Sequence, residues 1–169
     1  MDLAYTRKTH ADHSVCVRML AHGGVFYVHE VQRAQVEATA FAQTMRTMHD
    51  AQPGTMVWHG SGTEKGSAQF IQKLIPSFRL KNATADKFIR AQPVAAAWNA
   101  GKVLLPNPEK FKAPWLAPFL SIVQNFTGVD DPHDDDVDAL ASAHYACQRQ
   151  RVSGSSVWGR GPIAPTRMA

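Results

Sequence analysis

The runs of apolar residues over Ser14–Leu20 and Val25–Val31 both read as strands, and Ala21-His22-Gly23-Gly24 between them supplies the two glycines that suit a tight turn. The two segments are expected to pair as antiparallel strands. From about Gln35 to His49 the period lengthens to that of a helix, with Glu37, Phe41, Thr44 or Met45, and Met48 on one side, and Gln52-Pro53-Gly54 ends it. Thr55–Trp58 is short, apolar and bounded by glycines, which fits a buried strand in a sheet covered by helices. After the loop His59–Gly66 a helix runs to about Ile75, and Phe78–Lys81 is a second short strand. Thr84 or a neighbour caps a helix carrying Lys87 and Arg90; Pro93 either kinks it or begins a new helix to Asn99, and Gly101 is the stop. Lys102–Leu105 reads as a strand closed by Pro106-Asn107-Pro108, and Trp115–Asn125 as an apolar helix. A hairpin followed by alternating strands and helices predicts an α/β or α+β domain with a mixed sheet.

The last periodic segment changes the question from fold to chemistry. Val137, Leu140, Ala141, His144 and Tyr145 recur at helical spacing, with Asp131 as the expected N-cap and Pro132 in the first turn. Asp131, Asp134, Asp135, Asp136 and Asp138 crowd that start. Acids near a helix N-terminus each contribute roughly 0.3–1 kcal/mol, which accounts for one or two of them. Asp134/Asp138 and Asp135/Asp138 repel at helical spacing by as much as a favourable pair would attract. A hard divalent cation would offset that repulsion, since Mg²⁺ takes carboxylate oxygens and keeps waters and phosphates. The alternative is a solvated acidic face.

Charge along the chain is segregated. Residues 1–64 are net −1, residues 65–112 net +7, residues 113–148 net −6 and residues 149–169 net +4. A basic middle before an acidic helix suits a site that holds a polyanion near metal ions, with bases on phosphates and acids on the metal. The 169 residues, 44% of them hydrophobic, suffice for one domain with a real core at 1–148, followed by a basic, disordered tail at 149–169. No apolar run reaches membrane-span length, and the first residues lack the apolar stretch of a signal peptide, so the protein is expected in the cytoplasm. Cys16 and Cys147 belong to no CxxC pair and are expected to be buried and unbridged. His10 and His13 are spaced like half a metal site, with no second pair to complete it.

Three passages, taken in order, resemble the nuclease domain of tailed-phage terminase large subunits. Asp2-Leu3-Ala4 followed by Ala11-Asp12-His13-Ser14 is similar to that family's first acidic strand end, loop and second strand. Asp86-Lys87-Phe88-Ile89-Arg90-Ala91-Gln92-Pro93, then Gly101-Lys102-Val103-Leu104-Leu105-Pro106, resembles its central helix-to-strand passage. His133-Asp134-Asp135-Asp136-Val137-Asp138-Ala139-Leu140 resembles its final acidic helix. The resemblance covers roughly residues 1–148 and implies an RNase H-like fold with a mixed sheet flanked by helices. It further implies cleavage of double-stranded, concatemeric viral DNA during genome packaging in the host cytoplasm. A portal protein, a small terminase subunit and a terminase ATPase domain are the implied partners.

By the same resemblance Asp2 is the first metal ligand and Asp135 the last. Asp138 is a further ligand or supporting acid one turn on, and Asp134 is the rival for Asp135's place. The family's second acid lies at or just after the strand Thr55–Trp58, where this chain has His59; Glu64 is the nearest carboxylate and takes the role, with His59 as a substitute ligand or general base. Only Met1 precedes Asp2, so the first strand is expected to be truncated, and no phosphate-binding loop of an ATPase occurs, as in a fragment or split gene product.

These assignments predict an endonuclease using two Mg²⁺ or Mn²⁺ ions roughly 4 Å apart, held by Asp2, Glu64 and Asp135. Lys87 and Arg90 would contact phosphates near the scissile bond, with Lys65 and Lys102 outside them. Two other readings remain: a DNA-binding or assembly module that keeps the fold without cutting, and a junction resolvase-like nuclease.

Overall fold

In the computed structural model the described residues are 13–60, 65–129, 131 and 134–152. The strand end at Asp2, the second acid Glu64 and the tail beyond 152 lie outside them. The hairpin forms as expected: β1 (Ser14–His22) and β2 (Val25–Ala34) pair antiparallel from Ser14↔Ala34 to His22↔Val25, with a bulge at Arg18/Met19. Gly23 and Gly24 turn the chain with φ of 58° and 91°, the positive φ that a two-residue type I′ turn demands of both central positions.

Helix α1 (Ala38–Ala51) buries Phe41, Ala42, Met45 and Met48, spaced three and four apart. Strand β3 (Met56–Gly60), helix α2 (Lys65–Leu74) and strand β4 (Phe78–Asn82) form a β-α-β unit, with β3 and β4 parallel. Helix α3 (Lys87–Asn99) is capped by Asp86, whose carboxylate accepts the Ile89 N–H at 2.8 Å. Pro93 lies inside this one helix at an exposed position, where water can serve the Ile89 carbonyl that the proline leaves without a helical donor. Strand β5 (Val103–Leu104) pairs parallel to β2, and helices α4 (Leu116–Asn125) and α5 (Asp135–Val152) complete the chain. Among the described residues the strands make a three-stranded sheet β1-β2-β5 and a two-stranded sheet β3-β4.

Side chains of a strand alternate between faces, and β1 uses both. Cys16 joins Phe41, Met45, Trp58, Ile71 and Phe78 in one core, under α1 and α2. Val15 and Val17 join Val28, Val31, Val94, Phe119 and Leu140 in another, under α3, α4 and α5. A sheet covered on both faces explains why β1 reads as nearly continuous apolar sequence. Cys16 and Cys147 are both buried and neither is in a disulfide, as expected.

Helix α5 begins at Asp135, three residues later than a cap at Asp131 would start it. The Asp131 carboxylate accepts the Thr127 and Gly128 N–H groups and the Thr127 hydroxyl, closing a loop instead of capping the helix. These donors hold its carboxyl below the usual carboxylate range. Asp134 carries the helix start, its carbonyl accepting from Val137 and Asp138 at 3.0 Å. Gly128 in that loop has φ +83°, and a Cβ there would sit 2.2 Å from the Phe88 ring, so this turn rests on α3 only as glycine.

Candidate metal and DNA site

The N-terminal end of α5 packs where β1 begins and beside α3 and β3, so residues far apart in sequence meet at one edge of the fold. Asp135, in the first turn, is 2% exposed and its Oδ2 accepts the backbone N–H of His13 at 2.7 Å. Asp136 is 1% exposed, not solvent-facing as its position in an acidic run suggests, and its Oδ2 lies 3.5 Å from Arg33 Nε. Asp134 Oδ1 pairs with Lys87 Nζ at 2.7 Å. Asp138 is gripped by both arms of the Arg90 guanidinium, at 3.0 Å from Nε and 2.5 Å from Nη2.

The residues expected to divide into metal ligands and phosphate contacts are thus paired with one another. Three basic side chains, from α3 and β2, offset the carboxylate repulsion that the sequence alone leaves to a cation. The two α3 pairs are unequal. Lys87 and Asp134 are 39% and 28% exposed, and such a half-solvated pair contributes about 0–1 kcal/mol and is readily exchanged. Arg90 and Asp138 are 14% and 3% exposed, and Arg90 also donates to the Ala85 carbonyl, so this pair is part of the interior. Lys65, first in α2, and Lys102, just before β5, are exposed.

A family model of the terminase RNaseH-like domain matches residues 1–146. The chain belongs to that family. Among solved structures, the human cytomegalovirus terminase nuclease domain, soaked with Mn, superposes with a TM-score of 0.58 at 14% identity, over 86% of this chain and 81% of that one. At that identity the likeness shows the fold alone, which is RNase H-like. No curated protein matches the chain.

In this terminase RNaseH-like domain His59, next to last in β3, faces α5. Its Nδ1 lies 2.8 Å from Ser142 Oγ and its ring meets Tyr145 edge-on at 4.9 Å. Burial pushes its imidazole below 6.5, with the charge of Arg90 acting the same way and that of Asp138 opposing it. The ring is therefore neutral at neutral pH. Because the unfolded chain takes up this proton near 6.5 and the folded one only at lower pH, His59 costs stability as pH falls below 6.5 and nothing above it. His59→Gln should flatten that acid limb, read as urea midpoints of the two proteins between pH 7.5 and pH 5.5.

Among the described residues no group of three or more His, Cys, Asp or Glu is placed to hold a metal ion. Asp2 and Glu64 lie outside those residues. Sequence reasoning missed His13 and Arg33 as neighbours of the acidic helix, because their contacts cross more than 100 positions and follow from strand placement. The burial of Asp136 left no such signal: it shares the i, i+4, i+8 stripe of Leu140 and His144, yet Asp135 and Asp138, off that stripe, are buried as well.

Proposed function

We propose that this domain is a divalent-metal-dependent endonuclease that cuts double-stranded viral DNA during genome packaging. What supports the reading is the buried carboxylate of Asp135 beside the start of β1 in a terminase RNaseH-like domain, flanked by bases suited to phosphate. Carboxylate oxygens are the donors that Mg²⁺ and Mn²⁺ take, so the chemistry of the acidic end fits such an ion. Asp135, with Asp2 and Glu64, would hold it, and His59 could add a neutral imidazole from the end of β3. Bound metal would supply an activated water and stabilise the leaving 3′ oxygen.

The chain's own residues divide the remaining work. Lys87 can leave Asp134 for a phosphate at little cost, since its ion pair is half-solvated. That exchange would free Asp134 near the metal as the DNA arrives. Arg90 instead holds Asp138, and through it the first turn of α5. Lys65 and Lys102 extend the basic surface, so binding should be electrostatic and largely independent of sequence. Lys65→Ala and Lys102→Ala should each reduce the slope of log affinity against log salt by about 0.9, measured by anisotropy on a DNA duplex.

The test is conversion of supercoiled plasmid to nicked or linear forms in Mn²⁺, with EDTA as control. Cleavage that persists in EDTA, or none in Mn²⁺ or Mg²⁺, would remove the proposal. A second reading, a DNA-binding or assembly module that does not cut, is favoured by the ion pairs already occupying Asp134 and Asp138. It calls for salt-dependent DNA binding with no metal-dependent rise in Tm.

A further inference from the structure

We propose that Arg33 is a positioning residue for Asp135, joining the buried Asp136 carboxylate to the residue whose backbone holds the Asp135 side chain. The inference rests on the reading of Asp135 as a metal ligand. Arg33 stands near the end of β2, opposite Val15 of β1. Its Nε lies 3.5 Å from Asp136 Oδ2, and its Nη2 lies 3.3 Å from His13 Nδ1. The N–H of that same His13 donates to Asp135 Oδ2 at 2.7 Å. Because Asp135 and Asp136 are adjacent in α5, these contacts close a ring from the helix through β2 to the residue before β1 and back to the helix.

Each link has a direction. A guanidinium only donates, so His13 Nδ1 must accept and carry no proton. Asp136 is 1% exposed, and a carboxylate taken that far from water needs a cation close by; 3.5 Å is long for a hydrogen bond but short for a Coulombic contact. Arg33 therefore anchors Asp136 with one nitrogen and orients the His13 ring with another. Ring and amide belong to one residue, so an oriented ring favours the backbone torsions that aim the N–H at Asp135. A groove of about 270 Å³, lined in part by Arg33, Asp136, Trp115 and Phe119, gives a replacement side chain room without rebuilding the core.

Losing an outer partner of a metal-binding carboxylate commonly weakens metal affinity about 10–100-fold. Arg33→Met in the full chain is expected to weaken Mn²⁺ binding, measured by calorimetry, by about that factor. The Mn²⁺ concentration for half-maximal cleavage should rise in parallel, with the rate recovered at high Mn²⁺, while duplex affinity in EDTA stays unchanged. Arg33→Lys keeps a charge beside Asp136 but loses the fork that reaches His13, so it should recover only part of the affinity. His13→Ala keeps the amide and removes the ring, and should weaken Mn²⁺ binding as well even if Arg33→Met fails to fold. Unaltered Mn²⁺ affinity in folded Arg33→Met or in His13→Ala overturns this inference alone, as does a loss confined to DNA affinity. A wild-type chain that binds no Mn²⁺ overturns the parent reading, and this inference with it.

Discussion

Asp135→Asn should reduce plasmid cleavage in Mn²⁺ by at least about a thousand-fold, the scale of several kcal/mol of lost transition-state stabilisation, with the fold intact. Asparagine is the informative replacement because of how Asp135 is held. Its Oδ2 accepts the His13 amide inside the protein, and an alanine would leave that N–H buried without an acceptor, at about 1–3 kcal/mol. Asparagine keeps a carbonyl oxygen for the amide and removes only the charge that a cation requires. Asp135→Ala should therefore lose both cleavage and stability, while Asp135→Asn loses cleavage with a Tm in EDTA close to that of the wild type. The Mn²⁺-dependent rise in Tm should also vanish in both. Cleavage by Asp135→Asn within ten-fold of wild type would remove Asp135 from the metal.

The elements of the fold were legible where local physics decides them. Gly23-Gly24 can make one kind of turn, Phe41, Met45 and Met48 one kind of face, and Gly101, with φ 66°, one kind of helix end. The acidic helix was legible as an element and misread in its details, for two physical reasons. Aspartate serves equally as an N-cap and as the closure of a loop, so Asp131 carries no local sign that it bonds to Thr127 and Gly128. The first turns of α5 are also buried on every side, between β1, β3, α3 and α4, and a helix without a solvent face cannot sort its acids by periodicity. Lys87 and Arg90 are legible as basic residues one turn apart on α3, yet whether each meets a phosphate or an aspartate depends on where α3 lies against α5, and no spacing within α3 contains that.

Arg90→Met should destabilise the domain by about 3–5 kcal/mol, the usual cost of leaving one member of a buried ion pair alone. Asp138 would remain in the first turns of α5 with its side chain 3% exposed and its guanidinium partner gone. The Ala85 carbonyl, which accepts from Arg90 Nη1 at 2.6 Å, would lose that donor as well. Asp138→Asn in the same chain removes the stranded charge, so the double variant should regain a good part of the loss in urea unfolding. Asp138→Asn alone should cost less than Arg90→Met, because the guanidinium retains the Ala85 carbonyl and Arg90 is the less buried partner, at 14% against 3%. Lys87→Met is the contrast: with its pair half-solvated, stability should change by less than about 1 kcal/mol while duplex affinity falls. A near-neutral Arg90→Met with weakened DNA binding would reverse the two roles, making Arg90 the phosphate contact and its hold on Asp138 incidental to the fold.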